Sequence, residues 1–128
     1  MPSKKTVFKL VRNYLESGGV FIFDINTEYR YKNVYDGMSY VYEVGDDMAV
    51  WRSAFDENER LCEFTIDLFT AESDGSYFRS TETQTQKYHP SESVMEAAEG
   101  FVLVEKSGGK GFDGCDNPEK DYYIFKKL

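Results

Sequence analysis

The chain has 128 residues, of which 41% are hydrophobic and 16% are aromatic. This composition supplies the apolar surface that one folded domain needs and excludes an intrinsically disordered chain. The formal net charge is −8, from 23 acidic and 15 basic residues, and the basic residues form no stripe. We therefore expect neither nucleic acid nor a membrane as a partner.

The N-terminus and the two cysteines indicate a cytoplasmic protein. No apolar run approaches the length of a membrane span, and the first five residues are too polar for a signal peptide. Cys62 and Cys115 lie far apart and do not have the spacing of metal ligands. We expect reduced thiols, no metal site, and Cys62 as a small core residue.

A helix and an apolar strand are predicted first. Ser3 can cap a helix that Gly18 and Gly19 are expected to end, one of them in the left-handed conformation. The run Val20–Asp24 contains four consecutive apolar residues, which predicts a strand buried on both faces, as in a parallel sheet. Because only one helix precedes this strand, the chain resembles the second part of a larger fold. The apolar stripe of the helix consists of Val7, Phe8, Leu10, Val11, Tyr14 and Leu15.

A β-rich pattern follows the polar, tyrosine-rich segment Thr27–Gly37, which is predicted to be a loop or a short helix. Turn residues separate four predicted strands, which form an antiparallel meander. In the third strand, apolar residues alternate with polar ones, which predicts one buried face and places Asp67 on the exposed face. The four strands are Met38–Val44, Met48–Phe55, Leu61–Phe69 and Tyr77–Gln86.

The last third of the chain is predicted to contain one helix and two strands. The helix begins at His89-Pro90-Ser91-Glu92, with Pro90 in the first helical position and His89 as a cap. The strands Phe101–Lys106 and Asp121–Lys126 flank a glycine-containing loop, and two strands joined without a helix are most simply antiparallel neighbours. The element order predicts an α/β chain, mixed α+β when taken alone.

Five segments in this order form a recognisable set: Leu15–Asn26, Tyr77–Glu82, Gln84–Tyr88, Glu96–Phe101 and Tyr122–Phe125. Together they resemble the C-terminal half of a class I S-adenosylmethionine-dependent methyltransferase of the small-molecule type. In that family a helix ending in a Gly-Gly pair leads to the fifth strand. A β insertion similar to a substrate lid follows, and an antiparallel seventh strand closes the fold. The resemblance implies a single domain, 1–128, with a partial Rossmann-like sheet and a lid at 38–88.

Two departures from the family pattern bear on function. The glycine-rich turn and the acidic residue that bind the cofactor in that family have no counterpart in this chain. Gln84 stands where the family often has His, and Lys87 where it often has Arg, and Arg and Lys are not interchangeable at planar sites. The resemblance therefore implies a substrate-side portion that is inactive alone. The complete enzyme would use S-adenosyl-L-methionine and a small-molecule methyl acceptor, while this chain by itself is expected to bind no cofactor.

The candidate substrate-binding residues come from two places. Ligands of open α/β sheets bind beyond the carboxyl ends of the strands, so Asp24, Asn26 and Tyr29 follow the first strand at a favourable position. The other candidates lie on the predicted lid: Trp51, Arg79, Glu82, Gln84 and Gln86. Each group also has a purely structural interpretation, since Asp and Asn suit turns, charged pairs suit an exposed strand face, and Trp51 suits a core. The chemistry of the sequence assigns no catalytic residue.

Two further motifs lack the spacing of a phosphate-binding or metal-binding loop. The loop 107–114 is rich in glycine, but it lacks the spacing of a phosphate-binding loop and does not join a strand to a helix. Asp113, Asp116 and Glu119 do not match a calcium loop. Both patterns favour a hairpin connection.

A function of another class stays open: a non-enzymatic binding or assembly module. The sequence supplies no cofactor motif, and the strand Val20–Asp24 would expose an apolar edge if its neighbour in the methyltransferase sheet were absent. Such an edge pairs readily with another strand, so a homodimer through Val20–Asp24 is the expectation.

Overall fold

The computed structural model describes residues 3–111 and 113–128. Met1 and Pro2 of the polar N-terminus, and Phe112 of the glycine-containing loop, lie outside the described residues. The chain divides into two compact units, Met1–Thr27 with His89–Leu128 (unit 1) and Glu28–Tyr88 (unit 2). In the described part of the chain no helix is long and apolar enough to cross a membrane.

Unit 1 begins with helix α1, Lys4–Tyr14. Ser3 caps it as predicted, because its hydroxyl accepts a hydrogen bond from the backbone N–H of Thr6 at 3.2 Å. The helix ends earlier than the glycine pair, at Tyr14, since Leu15 is already extended. Gly18 has the predicted left-handed conformation, with φ +82°. Of the predicted apolar stripe, the structure buries Phe8 alone and exposes Leu10 and Tyr14.

The sheet of unit 1 has three antiparallel strands in the order β1-β7-β6: β1 is Val20–Asn26, β6 is Phe101–Lys106 and β7 is Lys120–Lys127. The predicted pairing of the last two strands is confirmed. Helices α1 and α3 (Ser91–Ala97) contribute Phe8, Val94 and Ala97 to one core with Tyr123 and Phe125 of the sheet. A single helical layer therefore covers one face of the sheet.

The prediction that Val20–Asp24 is buried on both faces is wrong. Phe21 and Phe23 face the helices and pack against the core, whereas Val20 and Ile22 are 50% and 56% exposed. The run lacks polar residues on its outer face, so the sequence shows no alternation even though burial alternates. The face opposite the helices carries apolar side chains that no element of unit 1 covers among the described residues.

The start of α3 also differs from the prediction. Pro90 is the N-cap and Ser91 is the first helical residue, with no side-chain hydrogen bond at the cap. His89 is therefore not the cap, and its Nδ1 lies 2.8 Å from Nζ of Lys4. Proline fits the N-cap because its φ of −60° suits the extended geometry there.

Unit 2 is a four-stranded antiparallel meander, and two short helical segments precede it in the chain. Helix α2 (Glu28–Arg30) and a π-helix (Tyr31–Tyr35) precede strands β2 (Met38–Val44), β3 (Asp47–Asp56), β4 (Leu61–Ala71) and β5 (Tyr77–Lys87). The strand order β2-β3-β4-β5 confirms the predicted meander. Its core contains Tyr31, Cys62 and Phe64, so Cys62 has the predicted core position.

The alternation predicted for β4 holds at one end of the strand and reverses at the other. Cys62 and Phe64 are buried, but Leu68 is 49% exposed, while Asp67 is only 4% exposed. The prediction that Asp67 faces solvent is wrong, because Arg52 and Arg79 from the neighbouring strands cover its carboxylate. A charged group can be buried when its hydrogen bonds are satisfied in this way.

Candidate functional site

A cavity of about 290 Å³ lies within unit 2. Its position follows from the register of the sheet, which aligns Tyr40 with Trp51, Trp51 with Ile66, and Phe64 with Gln84. Side chains of paired residues point to the same face, so each strand of the meander contributes to one surface. The aromatic residues of the lining are Tyr35, Tyr40, Tyr42, Trp51 and Phe64, and the remaining ones are Arg30, Val34, Met38, Gln84 and Gln86.

Contacts among the lining residues hold the cavity wall in place. The ring centroids of Tyr35 and Phe64 are 5.0 Å apart in an edge-to-face arrangement, and those of Tyr42 and Trp51 are 6.5 Å apart. The guanidinium carbon of Arg30 lies 4.8 Å from the centroid of the Tyr35 ring. Tyr31, which is buried beneath the sheet, donates a hydrogen bond of 3.2 Å to Oε1 of Gln86. The wall is therefore aromatic, with amide groups and one guanidinium held at defined positions.

This combination of groups suits binding rather than covalent chemistry. Aromatic faces pack against the C–H groups of a ring, and the amides of Gln84 and Gln86 can donate and accept hydrogen bonds. The lining contains no Ser, Cys or His that could act as a nucleophile or a base. In the described residues no group of His, Cys, Asp and Glu side chains could hold a metal ion.

Three of the residues predicted from the sequence line this cavity: Trp51, Gln84 and Gln86. Glu82 lies beside Gln84 on the same face of β5, and its Oε1 is 3.5 Å from Nε2 of Gln84. Tyr29 is 49% exposed on α2, where its carbonyl accepts a hydrogen bond from Asn33. Arg79 is on the opposite face of the sheet and forms an ion pair of 3.0 Å with Asp67.

Asp24 and Asn26 belong to unit 1, at the carboxyl end of β1. Asp24 pairs with Tyr122 in register, and its carboxylate is 3.4 Å from Nζ of Lys120. Asn26 pairs with Lys120 at the last position of the strand. Both side chains therefore lie at the strand end that the sequence predicted.

Four of the lining residues were not singled out from the sequence: Arg30, Tyr35, Tyr40 and Tyr42. The alternation of Tyr40 and Tyr42 with Val41 in β2 was a usable signal, since it puts both rings on one face of an antiparallel strand. Arg30, the last residue of α2, and Tyr35, the last residue of the π-helix, gave no signal, because neither short helical segment has a characteristic sequence pattern.

Unit 1 contains a second cavity of about 290 Å³, between α1, β1 and the start of α3. Its lining is almost entirely apolar and includes Val7, Phe21, Phe23 and Val94, with Lys4 and His89 as its polar residues. These two polar residues meet at one place, where Nζ of Lys4 lies 2.8 Å from Nδ1 of His89, and the otherwise apolar lining gives a ligand little orientation. The unit 2 cavity is therefore the better candidate for a binding site.

Comparison with solved structures identifies the fold of the chain. No family model and no curated protein matches the chain, whereas solved structures do. An S-adenosylmethionine-dependent methyltransferase from Clostridium acetobutylicum is 26% identical, with a TM-score of 0.70 over 96% of this chain and 50% of that one.

Two less similar structures have the same fold. A sugar N-methyltransferase from Streptoalloteichus is 16% identical, with a TM-score of 0.66 over 96% of this chain and 48% of that one. An amino pentose methyltransferase from Micromonospora echinaspora, solved with S-adenosylmethionine bound, is 12% identical, with a TM-score of 0.63 over 100% of this chain and 53% of that one. The chain thus spans about half the length of each. It has the fold of part of an S-adenosylmethionine-dependent small-molecule methyltransferase, consistent with the C-terminal half that its element order predicts.

Proposed function

We propose that this chain is the substrate-side portion of a small-molecule methyltransferase and that unit 2 is the lid that contacts the methyl acceptor. The observation that carries the proposal is the match to the Clostridium methyltransferase over 96% of this chain and half of that one. Methyl transfer gains its rate chiefly from the proximity and orientation of two bound substrates. The role of this portion is to position the acceptor.

The acceptor that fits the proposal is a small ring compound of the size of a sugar. Two of the structural relatives are described as a sugar N-methyltransferase and an amino pentose methyltransferase. The aromatic rings and amides of the unit 2 cavity are suited to such a ligand, and its volume of about 290 Å³ is at the small end of the range for ligand pockets. Trp51 would stack on the ring and Gln84 would hydrogen-bond to its substituents.

The methyl donor is assigned to the remainder of the enzyme. Among the described residues no strand runs through a glycine-rich turn into a helix, since β1 leads through Thr27 to α2 and β5 leads through 88–90 to α3. That turn is what brings a backbone close to a nucleotide. The residues present therefore do not fit S-adenosyl-L-methionine, and the isolated chain is proposed to be inactive and cytoplasmic.

A chimera tests the proposal directly. The part of the Clostridium methyltransferase that this chain does not match is joined to this chain, and binding of S-adenosyl-L-methionine is measured by calorimetry. We expect the chimera to fold and to bind the donor, and the chain alone to give no saturable heat at millimolar ligand. If the intact Clostridium enzyme binds the donor and the chimera does not, the assignment is wrong. Saturable heat from the chain alone would overturn the assignment of the donor site.

A second candidate, an assembly module that dimerises through Val20–Asp24, is favoured by one observation. Within the described residues β1 pairs with β7 on one side only, and Val20 and Ile22 on its outer face are about half exposed. A strand edge next to exposed apolar side chains promotes pairing with a second copy. Size-exclusion chromatography with light scattering at high concentration should then show a dimer, and a clean monomer would contradict this candidate.

A further inference from the structure

Strand β2 forms one edge of the unit 2 sheet, and no strand of the described residues pairs with its outer side. Four apolar or aromatic side chains on its two faces are each at least half exposed: Tyr40, Val41, Tyr42 and Val44. An edge that combines unpaired backbone groups with exposed apolar side chains pairs readily with another strand. The outer edge of β2 is therefore a candidate interaction surface.

Two of the other strand edges carry features that oppose such pairing. Strand β6 has a register shift after Leu103, and β5 carries an arginine, a glutamate and a lysine. Irregular register and charged side chains are means by which proteins keep edge strands from associating. Strand β2 pairs with β3 in continuous register and has one charged residue, Glu43. Strand β1, the edge of the second candidate above, is also regular with one charged residue, so the experiment below compares the two edges.

The hairpin between β2 and β3 determines which backbone groups of β2 face outward. Its loop has two residues, because Val44 pairs with Asp47. The residues that close a two-residue hairpin exchange hydrogen bonds with each other, and hydrogen-bonded and non-hydrogen-bonded pairs alternate along the strands. The backbone N–H and C=O groups that point away from β3 are therefore those of Ser39, Val41 and Glu43.

We propose that β2 pairs antiparallel with β2 of a second copy about a two-fold axis at Val41, which joins two four-stranded meanders into one continuous sheet. This register aligns all seven residues of the strand and puts Ser39 opposite Glu43 of the partner subunit. The outward backbone groups of one copy then meet the same groups of the other. Registers centred elsewhere align fewer residues, and one centred on Glu43 would put two carboxylates directly opposite each other.

Charges across the proposed interface attract each other. Glu43 forms no ion pair with any residue in the described part of its own chain. Ser39 pairs with Arg52, so Glu43 of the partner subunit would lie in the same row, about 10 Å from the backbone of Arg52 with only the small serine between them. Arg52 and Arg79 share the single carboxylate of Asp67, which leaves this cluster with an excess positive charge. The two copies of Glu43 would be about 14 Å apart along the strands, beyond the Debye length of about 8 Å.

The pairing would also extend the aromatic wall of the unit 2 cavity. Tyr40 and Tyr42 line the cavity, and their ring centroids are 6.3 Å apart. Opposite residues of paired strands share a face, so Tyr42 of the partner subunit would lie beside Tyr40 on the cavity side. The second copy would thus contribute a residue to the rim of this cavity. The pairing itself follows from the edge of β2 and does not rest on the proposed function.

Cysteine cross-linking of the full chain tests the register. In a Cys115→Ser background, which removes the exposed native thiol, Val41→Cys brings two thiols together at the two-fold axis. Opposite Cα atoms there are about 5.5 Å apart, which a disulfide can span. Val44→Cys is the matched control, because Val44 is 77% exposed against 59% for Val41, but its two copies would lie about 20 Å apart. Under mild oxidation we expect Val41→Cys to form a linked dimer about tenfold faster than Val44→Cys.

Light scattering with size-exclusion chromatography tests the pairing without added cysteines. Val41→Lys would put two like charges opposite each other at the axis, and its exposed position lets the chain fold. Thr85→Lys adds the same charge to β5, the other edge of the sheet, opposite Glu63. We expect the unchanged chain and Thr85→Lys to be dimers at high concentration, and the dissociation constant of Val41→Lys to be raised about tenfold or more. Circular dichroism verifies that both variants are folded.

Three outcomes would overturn the inference. A chain that stays monomeric at high concentration has no such interface, and equal cross-linking rates for Val41→Cys and Val44→Cys would exclude the proposed register. A dimer that is linked by Ile22→Cys, at the centre of Val20–Asp24, but not by Val41→Cys would belong to the β1 edge instead. The chimera experiment tests the methyltransferase assignment without reference to β2 pairing, so a failure of one is distinguishable from a failure of the other.

Discussion

Arg79 donates two hydrogen bonds to one carboxylate oxygen of Asp67, from Nε at 3.2 Å and from Nη2 at 3.0 Å. The same oxygen accepts from the hydroxyl of Thr81 at 2.6 Å, and the other oxygen accepts from Arg52 at 3.0 Å. These partners come from β3 and β5, on both sides of β4. The buried carboxylate of β4 therefore links this strand to both of its neighbours, β3 and β5, on the face of the sheet opposite the cavity.

Replacement of Asp67 by Asn should lower the thermal stability of unit 2. The variant keeps the size of the side chain but removes the charge that two guanidinium groups share, and it leaves both arginines without their anion. We expect the midpoint of thermal unfolding to fall by several degrees, as followed by circular dichroism. Glu63→Gln is the matched control, because Glu63 is an exposed acid on the same strand and the same face. Equal effects of the two substitutions would rule out a special role for Asp67.

The same carboxylate should make the stability depend on pH in the acid range. The hydrogen bond from Thr81, followed by the contacts with Arg79, lowers the pKa of Asp67 below its usual value of 3.8. A lowered native pKa means that the stabilisation is present in full above the unfolded value and is lost as the pH falls through the native one. Urea unfolding between pH 5 and pH 2 should therefore show a loss of stability below about pH 4 that is smaller in Asp67→Asn. Parallel pH profiles for the two proteins would contradict this prediction.

The sequence predicts the elements well because their patterns are local, and it fails where partners come from distant segments. The alternation in β4 and the turns on either side of it are visible within ten residues, and they predict the antiparallel meander whose strands carry Trp51 and Gln84. The burial of Asp67 could not be predicted, because it depends on Arg52 and Arg79, which the register alone brings together. Burial on the outer face of Val20–Asp24 was predicted wrongly, because an apolar run does not reveal whether a second layer covers it.

The two thiols should differ sharply in reactivity. Cys115 is exposed, whereas Cys62 is fully buried, and burial, with a smaller contribution from Asp36, raises the pKa of Cys62 to about 11. Its thiol therefore stays protonated at pH 8, and the thiolate is the reactive form. A thiol reagent at pH 8 should titrate one group per native chain and two in urea. Rapid reaction of two groups in the native state would show that the core of unit 2 is open to solvent.

Substitution of Gly100 by Ala should lower the free energy of unfolding for two reasons, and matched variants can separate them. Its φ is +85°, and a Cβ there would lie 2.7 Å from Cδ of Arg12, whose Nη1 donates to the carbonyl of Glu99 at 3.0 Å. We expect Gly100→Ala to reduce the free energy of unfolding by about 1–2 kcal/mol, from backbone strain and the displaced arginine.

Two other glycines serve as controls for Gly100. Gly45 has a φ of +60° with open space around its Cβ position, so Gly45→Ala should show the strain alone and cost about 1 kcal/mol. Gly108 has neither a left-handed φ nor a close neighbour, so Gly108→Ala should leave stability unchanged within about 0.5 kcal/mol. Urea unfolding of the three variants measures each difference. If Gly100→Ala lowers the free energy of unfolding no more than Gly45→Ala does, the contact with Arg12 does not contribute to stability. The side chain of Arg12 would then move aside without cost, and the end of α3 would not depend on it.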